Sequence, residues 1–220
     1  MRVLIGQGGD LGELYAVPRT PWLRVNFVST VDGAATGEDG RSGSINNPPD
    51  QRVFEHLREQ CDVVWIGAGT ARIEGYRDIG KPLVVVSRSG EVPERLRDAP
   101  SGDVLMATYA ASPGLEDARR KLGNDHVLVV GQNRVDLGAL KAELASRGWG
   151  NQLSEGGPHL LRDLFDEGVA DELDLTVVPR ALGGHHIRIT DGPPVDIPLT
   201  LHTLAEEDGT LLGRWFVDHA

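Results

Sequence analysis

The chain has 220 residues, 40% of them apolar and 25% charged, with a formal net charge of −11. That length suits one domain with a sizeable core, and the acidity argues against nucleic acid or an anionic membrane surface as partner. A phosphate site, if present, has to be built locally, from backbone N–H groups and a few arginines.

The start, MRVLIGQGGDLGE, turns polar after a short apolar run and does not read as a signal peptide. RVNFVS (24–29) alternates and reads as a strand. NNPPDQRVFEHLREQ reads as a helix with Asn47 as N-cap, Pro48 at the first helical position and Asp50 in the first turn. Val53, Phe54, Leu57 and Cys61 are spaced for its buried face. DVVWIG has no polar face and reads as a central strand covered on both sides. LVVVS (83–87) and DVLMAT (103–108) are further strands, with a loop over 91–103 between them. GLEDARRKLG is helical up to Gly123, HVLVVG (126–131) is a strand, and VDLGALKAELASRG is a helix capped by Asp136 and stopped by Gly148. NQLS is a short strand, HLLRDLFDEG a helix ended by Gly168, and ELDLTVV (172–178) a strand. Two strand-like runs around Glu206–Gly209 close the chain as a hairpin.

The order predicts an α/β fold: a mixed, mostly parallel sheet of about nine strands, helices on both faces and a C-terminal antiparallel hairpin. One domain, 1–220, is expected. The single cysteine, Cys61, reads as a small core residue, and no Cys/His spacing suits a metal. No run approaches the roughly 18 apolar residues of a membrane helix, so a cytoplasmic location is expected.

Three strand exits are suited to anions. Gly67, Gly69 and Thr70 follow DVVWI, where small residues let a phosphate approach the amides of a helix start. The pattern is not a full G-x-G-x-x-G, because Arg72 takes the last glycine position. Gly156, Gly157 and Pro158 precede the helix carrying Leu160, with Glu155 just before. Ser87 and Arg88 end a strand about twenty residues beyond Gly67, and a hydroxyl with an arginine suits the 2′-phosphate of NADP. Each exit has a plainer reading as a turn, and Glu155 as a solvated loop acid. Asp32, in STVDG, reads either as an Asx turn or as a cleft residue. His185 and His186 read as surface residues, Trp22 and Trp149 as packing residues.

RVNFVSTVDGAAT, VVWIGAGTARIEGY, SEGGPHLLRDLFDEGVADELDLTVVPRALGG and EEDGTLLGRWFV fall in order along nearly the whole chain. Together they resemble the riboflavin-biosynthesis pyrimidine reductases, the reductase half of the bifunctional deaminase–reductase. The resemblance implies a dihydrofolate-reductase-like fold, NADPH, a phosphoribosylamino-pyrimidine substrate and a homodimer. It assigns Ser44, Gly67, Gly69, Thr70, Ser87, Arg88, Gly156, Gly157, Pro158 and Leu160 to the cofactor. It assigns Asn26, Ser42, Arg58 and Glu155 to the substrate, with Ser42 and Arg58 at its phosphate end, and puts Asp32 at the catalytic cleft.

Departures are visible. Asn26 replaces a lysine or alanine, SGSIN replaces S-x-W-I-T so that Ser44 stands for a tryptophan, and only Arg77 is a candidate for the second phosphate-directed arginine. No H-x-E and no P-C-x-x-C are present, so no zinc deaminase half is expected. The implied reaction carries hydride to C1′ of the ribose in 5-amino-6-(5-phosphoribosylamino)uracil or its 2,5-diamino pyrimidinone analogue. Asp32, with its pKa raised by burial, would relay the proton or position the substrate. A pterin-type reductase of the same fold, a non-catalytic NADPH-binding module and a ligand-free assembly domain are the alternatives.

Overall fold

The computed structural model describes residues 1–77, 79–97 and 104–219; residues 98–103 of the expected loop lie outside them. Ten strands form one sheet: β1 (Arg2–Ile5), β2 (Trp22–Thr30), β3 (Val63–Gly67), β4 (Leu83–Val86), β5 (Val104–Thr108), β6 (Val127–Val129), β7 (Asn151–Ser154), β8 (Glu172–Val178), β9 (Leu199–Glu207) and β10 (Thr210–Val217). Their order is β1-β9-β10-β8-β2-β7-β3-β4-β5-β6. From β8 to β6 every neighbouring pair is parallel, and β10, β9 and β1 add antiparallel strands at the other end. The strand beyond the nine expected is β1, whose short apolar run at the chain start gave little signal. The closing hairpin turns on Asp208 and Gly209, both at positive φ as a two-residue turn between twisted strands requires.

The helices are α1 (Leu11–Leu14), α2 (Pro48–Gln60), α3 (Ala68–Ile73), α4 (Leu115–Leu122), α5 (Leu137–Ser146) and α6 (Pro158–Asp166). Asn47 caps α2 by accepting the Asp50 amide, and Asp136 caps α5 by accepting the Ala139 amide. On β3, Val64 and Ile66 join the core beneath α2, with Val53, Leu57 and Cys61. Val63 and Trp65 join the opposite core, with Leu140 and Leu144 of α5 and Leu161 and Leu164 of α6. A strand without a polar face is thus covered on both sides, as expected. Cys61 is buried, and burial pushes its thiol up to about 11. No described helix is long and apolar enough to cross a membrane.

The polar residues of β2 are not at the surface. Arg24 and Asn26 are buried because β2 lies mid-sheet, between β7 and β8. Beside them Arg214 of β10 makes a two-pronged ion pair with Glu172 of β8, at 2.8 and 2.9 Å. Trp22 donates its indole N–H to the same carboxylate. Arg24 and Arg214 also donate to the carbonyls of Tyr15, Leu14 and Ala16, which fastens the N-terminal segment to the sheet.

Candidate active site

Strands β7, β3 and β4 are adjacent and parallel, so their C-terminal ends share one edge. There the Gly67 amide donates to the Gly156 carbonyl at 2.8 Å and ties the first two exits together. Neither Gly67, the N-cap of α3, nor Gly157, the N-cap of α6, has a side chain to cap the helix. A Cβ on Gly69 would meet no atom within 4 Å, so the backbone there is open to a ligand. Gly156 and Gly157 are required by close approach: Gly156 has φ +87°, and a Cβ on it would lie 2.6 Å from the Phe27 ring. On Gly157 a Cβ would collide with the Thr70 hydroxyl. Ser87 is buried at the end of β4 and Arg88 is exposed beside it. Leu160 packs into the core under α6, so only its backbone is available near the exit.

Below this edge lies a cavity of 430 Å³. Thr70, Gly157 and Pro158 from the cofactor set line it together with Asn26, Ser42, Arg58 and Glu155 from the substrate set. Glu155 is a buried acid, not a solvated one. Arg58 grips it through Nε at 2.5 Å and a terminal nitrogen at 2.7 Å, and the Tyr76 hydroxyl donates to it at 2.6 Å. Burial works against the charge on Arg58, but Glu155 outweighs it and raises the guanidinium's pKa. Burial and the adjacent Glu155 charge hold the Tyr76 hydroxyl well above its ordinary value, so it stays protonated. Ser42 gives both its amide and its hydroxyl to Glu74, each at 3.0 Å. Both residues assigned to a substrate phosphate therefore already hold a carboxylate.

Asp50 of α2 also lines the cavity. Its side chain is buried, one carboxylate oxygen has no hydrogen-bond partner, and burial pushes its pKa up to about 6 against a hydrogen bond from Thr176. Asn26 opposite Asp174 on β8 likewise has an unpartnered side-chain oxygen.

Asp32 departs from expectation. Its carboxylate is exposed, accepts the Thr30 hydroxyl and takes the amides of Leu182 and Gly183 at 3.0 and 2.7 Å. These bonds, the Thr30 hydroxyl foremost, hold its pKa below the usual carboxylate value, the opposite of a burial-raised proton relay. What Asp32 does is stitch two loops at the cavity rim. Val31 donates to Arg180 and Ala35 to Ile187 across the same seam. Ser44 is also outside the cavity wall: its hydroxyl bonds Asp39 and the Arg41 carbonyl, while Arg180 donates to its carbonyl. His185 lies at the surface, His186 is half-buried, and no described group of His, Cys, Asp and Glu suits a metal. Trp22 is buried and Trp149 packs against the core, as expected.

The model of the RibD C-terminal domain family matches residues 21–209, a span that holds both glycine exits and the whole cavity wall. The chain belongs to that family. A 2,5-diamino-6-ribosylamino-4(3H)-pyrimidinone 5′-phosphate reductase of Methanothermobacter thermautotrophicus is 29% identical over 191 residues, which are 80% of this chain and 86% of the relative. A pyrimidine reductase-like protein of Corynebacterium diphtheriae shares the fold, with a TM-score of 0.78 and 23% identity over 96% of this chain and 99% of the other. Dihydrofolate reductase of Enterococcus faecalis, complexed with NADP(H), aligns with a TM-score of 0.51 and 13% identity over 90% of this chain and 98% of that one. The fold of this RibD C-terminal domain is therefore dihydrofolate-reductase-like.

Sequence reasoning missed Asp50, Glu74 and Tyr76 as site residues of this RibD C-terminal domain. Asp50 reads as a helix-start acid, and Glu74 and Tyr76 stand in the IEGY segment without a spacing that points at chemistry. The Glu155–Arg58–Tyr76 cluster joins three distant segments, and only the fold assembles it.

Proposed function

We propose that this RibD C-terminal domain is an NADPH-dependent reductase that delivers hydride to C1′ of a ribosylamino-pyrimidine phosphate. The observation that carries the proposal is the junction of two features at one place. Two uncapped helix starts, tied through Gly67 and Gly156, open onto a cavity whose wall includes Thr70, Gly157 and Pro158. The glycine cradle fits a dinucleotide: amides without side-chain caps suit its phosphates, and the space over Gly69 admits them. Ser87 and Arg88, at the next strand exit, suit a 2′-phosphate. When bound, the nicotinamide supplies the hydride, which explains why the site needs no protein nucleophile.

The chain's own residues then bind, orient and exclude water. Phe27 and Pro158 wall the cavity beside the cradle, and Ile187 covers it from the rim. The Arg58–Glu155–Tyr76 cluster fixes the far wall in one geometry, which would orient a substrate for reduction by the nicotinamide. A homodimer in the cytoplasm goes with this proposal.

A thermal-shift comparison of NADPH with NADH tests the cofactor: NADPH stabilises more, and Arg88→Ala removes the difference. Oxidation of NADPH with the phosphoribosylamino-pyrimidine then tests the reaction. One observation favours a second reading. Ser42 and Arg58 are occupied by carboxylates, which suits a substrate without a phosphate, such as a dihydropterin. Turnover of dihydrofolate in preference to the phosphorylated pyrimidine would select it.

A further inference from the structure

Strand β8 carries two acids, Glu172 and Asp174, two positions apart and therefore on one face of the sheet. Both are buried. The donors around them go to Glu172: Arg214 gives it two N–H groups, Trp22 its indole N–H at 2.6 Å, and Arg24 Nε lies 3.7 Å away. Both oxygens of Asp174 are buried without a donor, while Arg24 keeps two unpartnered nitrogens. A buried carboxylate without donors is costly, whereas a carboxyl that keeps its proton is neutral and becomes a donor itself. Glu172 is the acceptor within reach of that proton. Burial and the Glu172 charge push the pKa of Asp174 up. Burial works the same way on Glu172, but Arg24 and Arg214 outweigh it and hold Glu172 below the usual glutamate value.

The pair stands directly behind the cavity wall. Asp174 is the β8 partner of Asn26 on β2, and Thr176, the next residue on that face, is hydrogen-bonded to Asp50. Asn26 and Asp50 line the cavity, and neither acid of the pair is among the described lining residues. The other charged or titratable groups around the pair are Arg24 on β2, Arg214 on β10, His202 on β9, Tyr15 after α1, and Asp50 and His56 on α2. Burial raises the Tyr15 hydroxyl and lowers both histidines, so above neutral pH all three are uncharged. The arginines keep their charge, which leaves Asp174 to change on the alkaline side. Resting on the reductase reading above, we infer that Asp174 is a positioning residue for this wall: its carboxyl, joined to Glu172 through one shared proton, keeps Asn26 and Asp50 in the arrangement that binds the substrate, and loss of that proton spoils the arrangement. The charge then left on Asp174 attracts the free nitrogens of Arg24, two residues before Asn26, and repels the Asp50 carboxylate beyond Thr176. Binding weakens, and the step at C1′ is untouched.

The test uses the full chain between about pH 6 and 10.5. Carbon-13 NMR, assigned by triple resonance, follows the Asp174 carboxyl, and nitrogen-15 NMR follows the Asn26 side-chain amide. Asp174 should be protonated at pH 7, and its ionisation at higher pH should shift the Asn26 amide with the same midpoint. Across that midpoint KM for 2,5-diamino-6-ribosylamino-4(3H)-pyrimidinone 5′-phosphate, at saturating NADPH, should rise at least about fivefold while kcat holds. Asp174→Asn keeps the shape, stays neutral and can donate to Glu172, so its KM and its Asn26 amide should lose that dependence on pH. A packing role alone would change KM equally at every pH. Asp174→Ser, checked for native circular dichroism, serves if the first variant does not fold, and the shared midpoint in the parent decides if neither does. Asp174 ionised at pH 7 or still protonated at pH 10.5, an Asn26 amide that ignores its titration, or a KM rise that survives in the variants each overturns the inference. Coincident midpoints without any NADPH oxidation would sustain the coupling while sinking the reductase reading. Full turnover with a flat KM would do the reverse.

Discussion

Replacing Asp50 by asparagine should stabilise the protein at neutral pH, by an amount that shrinks on acidification. The folded-state pKa of about 6 lies above the ordinary aspartate value of 3.8. The folded chain therefore holds this proton more tightly than the unfolded chain does. Below about pH 4 the carboxyl is protonated in both states and costs nothing. As pH rises through 4 to 6 the unfolded chain ionises first, and the cost of keeping a buried acid grows. Above pH 6 it is constant, at about 3 kcal/mol for a difference of about two pH units at about 1.4 kcal/mol each. Asparagine keeps the shape and removes the charge. The charged and titratable groups on the same strands and helix include Arg24 on β2, Glu172 and Asp174 on β8, Arg214 on β10, and Arg52, Glu55, His56, Arg58 and Glu59 on α2. Burial pushes the pKa of Asp174 up and that of His56 down. They are common to both proteins, and the difference curve isolates Asp50. Urea unfolding of parent and variant at intervals from pH 4.5 to 8 measures that curve. A variant less stable than its parent at pH 8, or a gain that does not grow with pH, would refute the reasoning.

Three further outcomes are expected. Arg58→Met should lose about 3 kcal/mol in urea unfolding, because Glu155 is left as a buried charge with only Tyr76, while the double variant with Glu155→Gln should recover most of the loss. Gly157→Ala should weaken the stabilisation by NADPH at least about tenfold, expressed as an apparent Kd, since its methyl group meets the Thr70 hydroxyl; Thr70→Ala should restore part of it. Asp32→Asn should raise KM and leave the pH profile of kcat unmoved, because the carboxylate fastens the rim loops through Leu182 and Gly183; a lost kcat limb in the pH profile would restore the relay role.

Strands β3 to β6 were legible because they carry continuous apolar runs, and the starts of α2 and α5 because Asn47 and Asp136 cap them. The glycine exits were legible for a related reason: backbone pressed against a neighbouring group leaves no room for a Cβ, and Gly156 against the Phe27 ring shows the constraint. Strand β1 was missed because four residues at a chain start carry no periodicity. The burial of Arg24 and Asn26 was hidden because alternation along a strand does not reveal how many neighbours the strand has. Asp50 and Asp32 differ from their sequence appearance for one cause. An acid's pKa follows from what the fold puts around it, and the sequence shows Asp50 only as a helix-start acid and Asp32 only as a turn or cleft residue. Pairing of Glu155 with Arg58 spans 97 positions and has no local signature.

The single bond from the Gly67 amide to the Gly156 carbonyl also limits how the molecule can breathe. It continues the β3–β7 pairing past the end of β7, so α3 and α6 cannot part without tearing the middle of the sheet. The seam that Asp32 closes is the softer side of the cavity: there a few hydrogen bonds join surface loops. Engineering aimed at turnover belongs at that seam, and engineering aimed at cofactor choice belongs on the rigid floor.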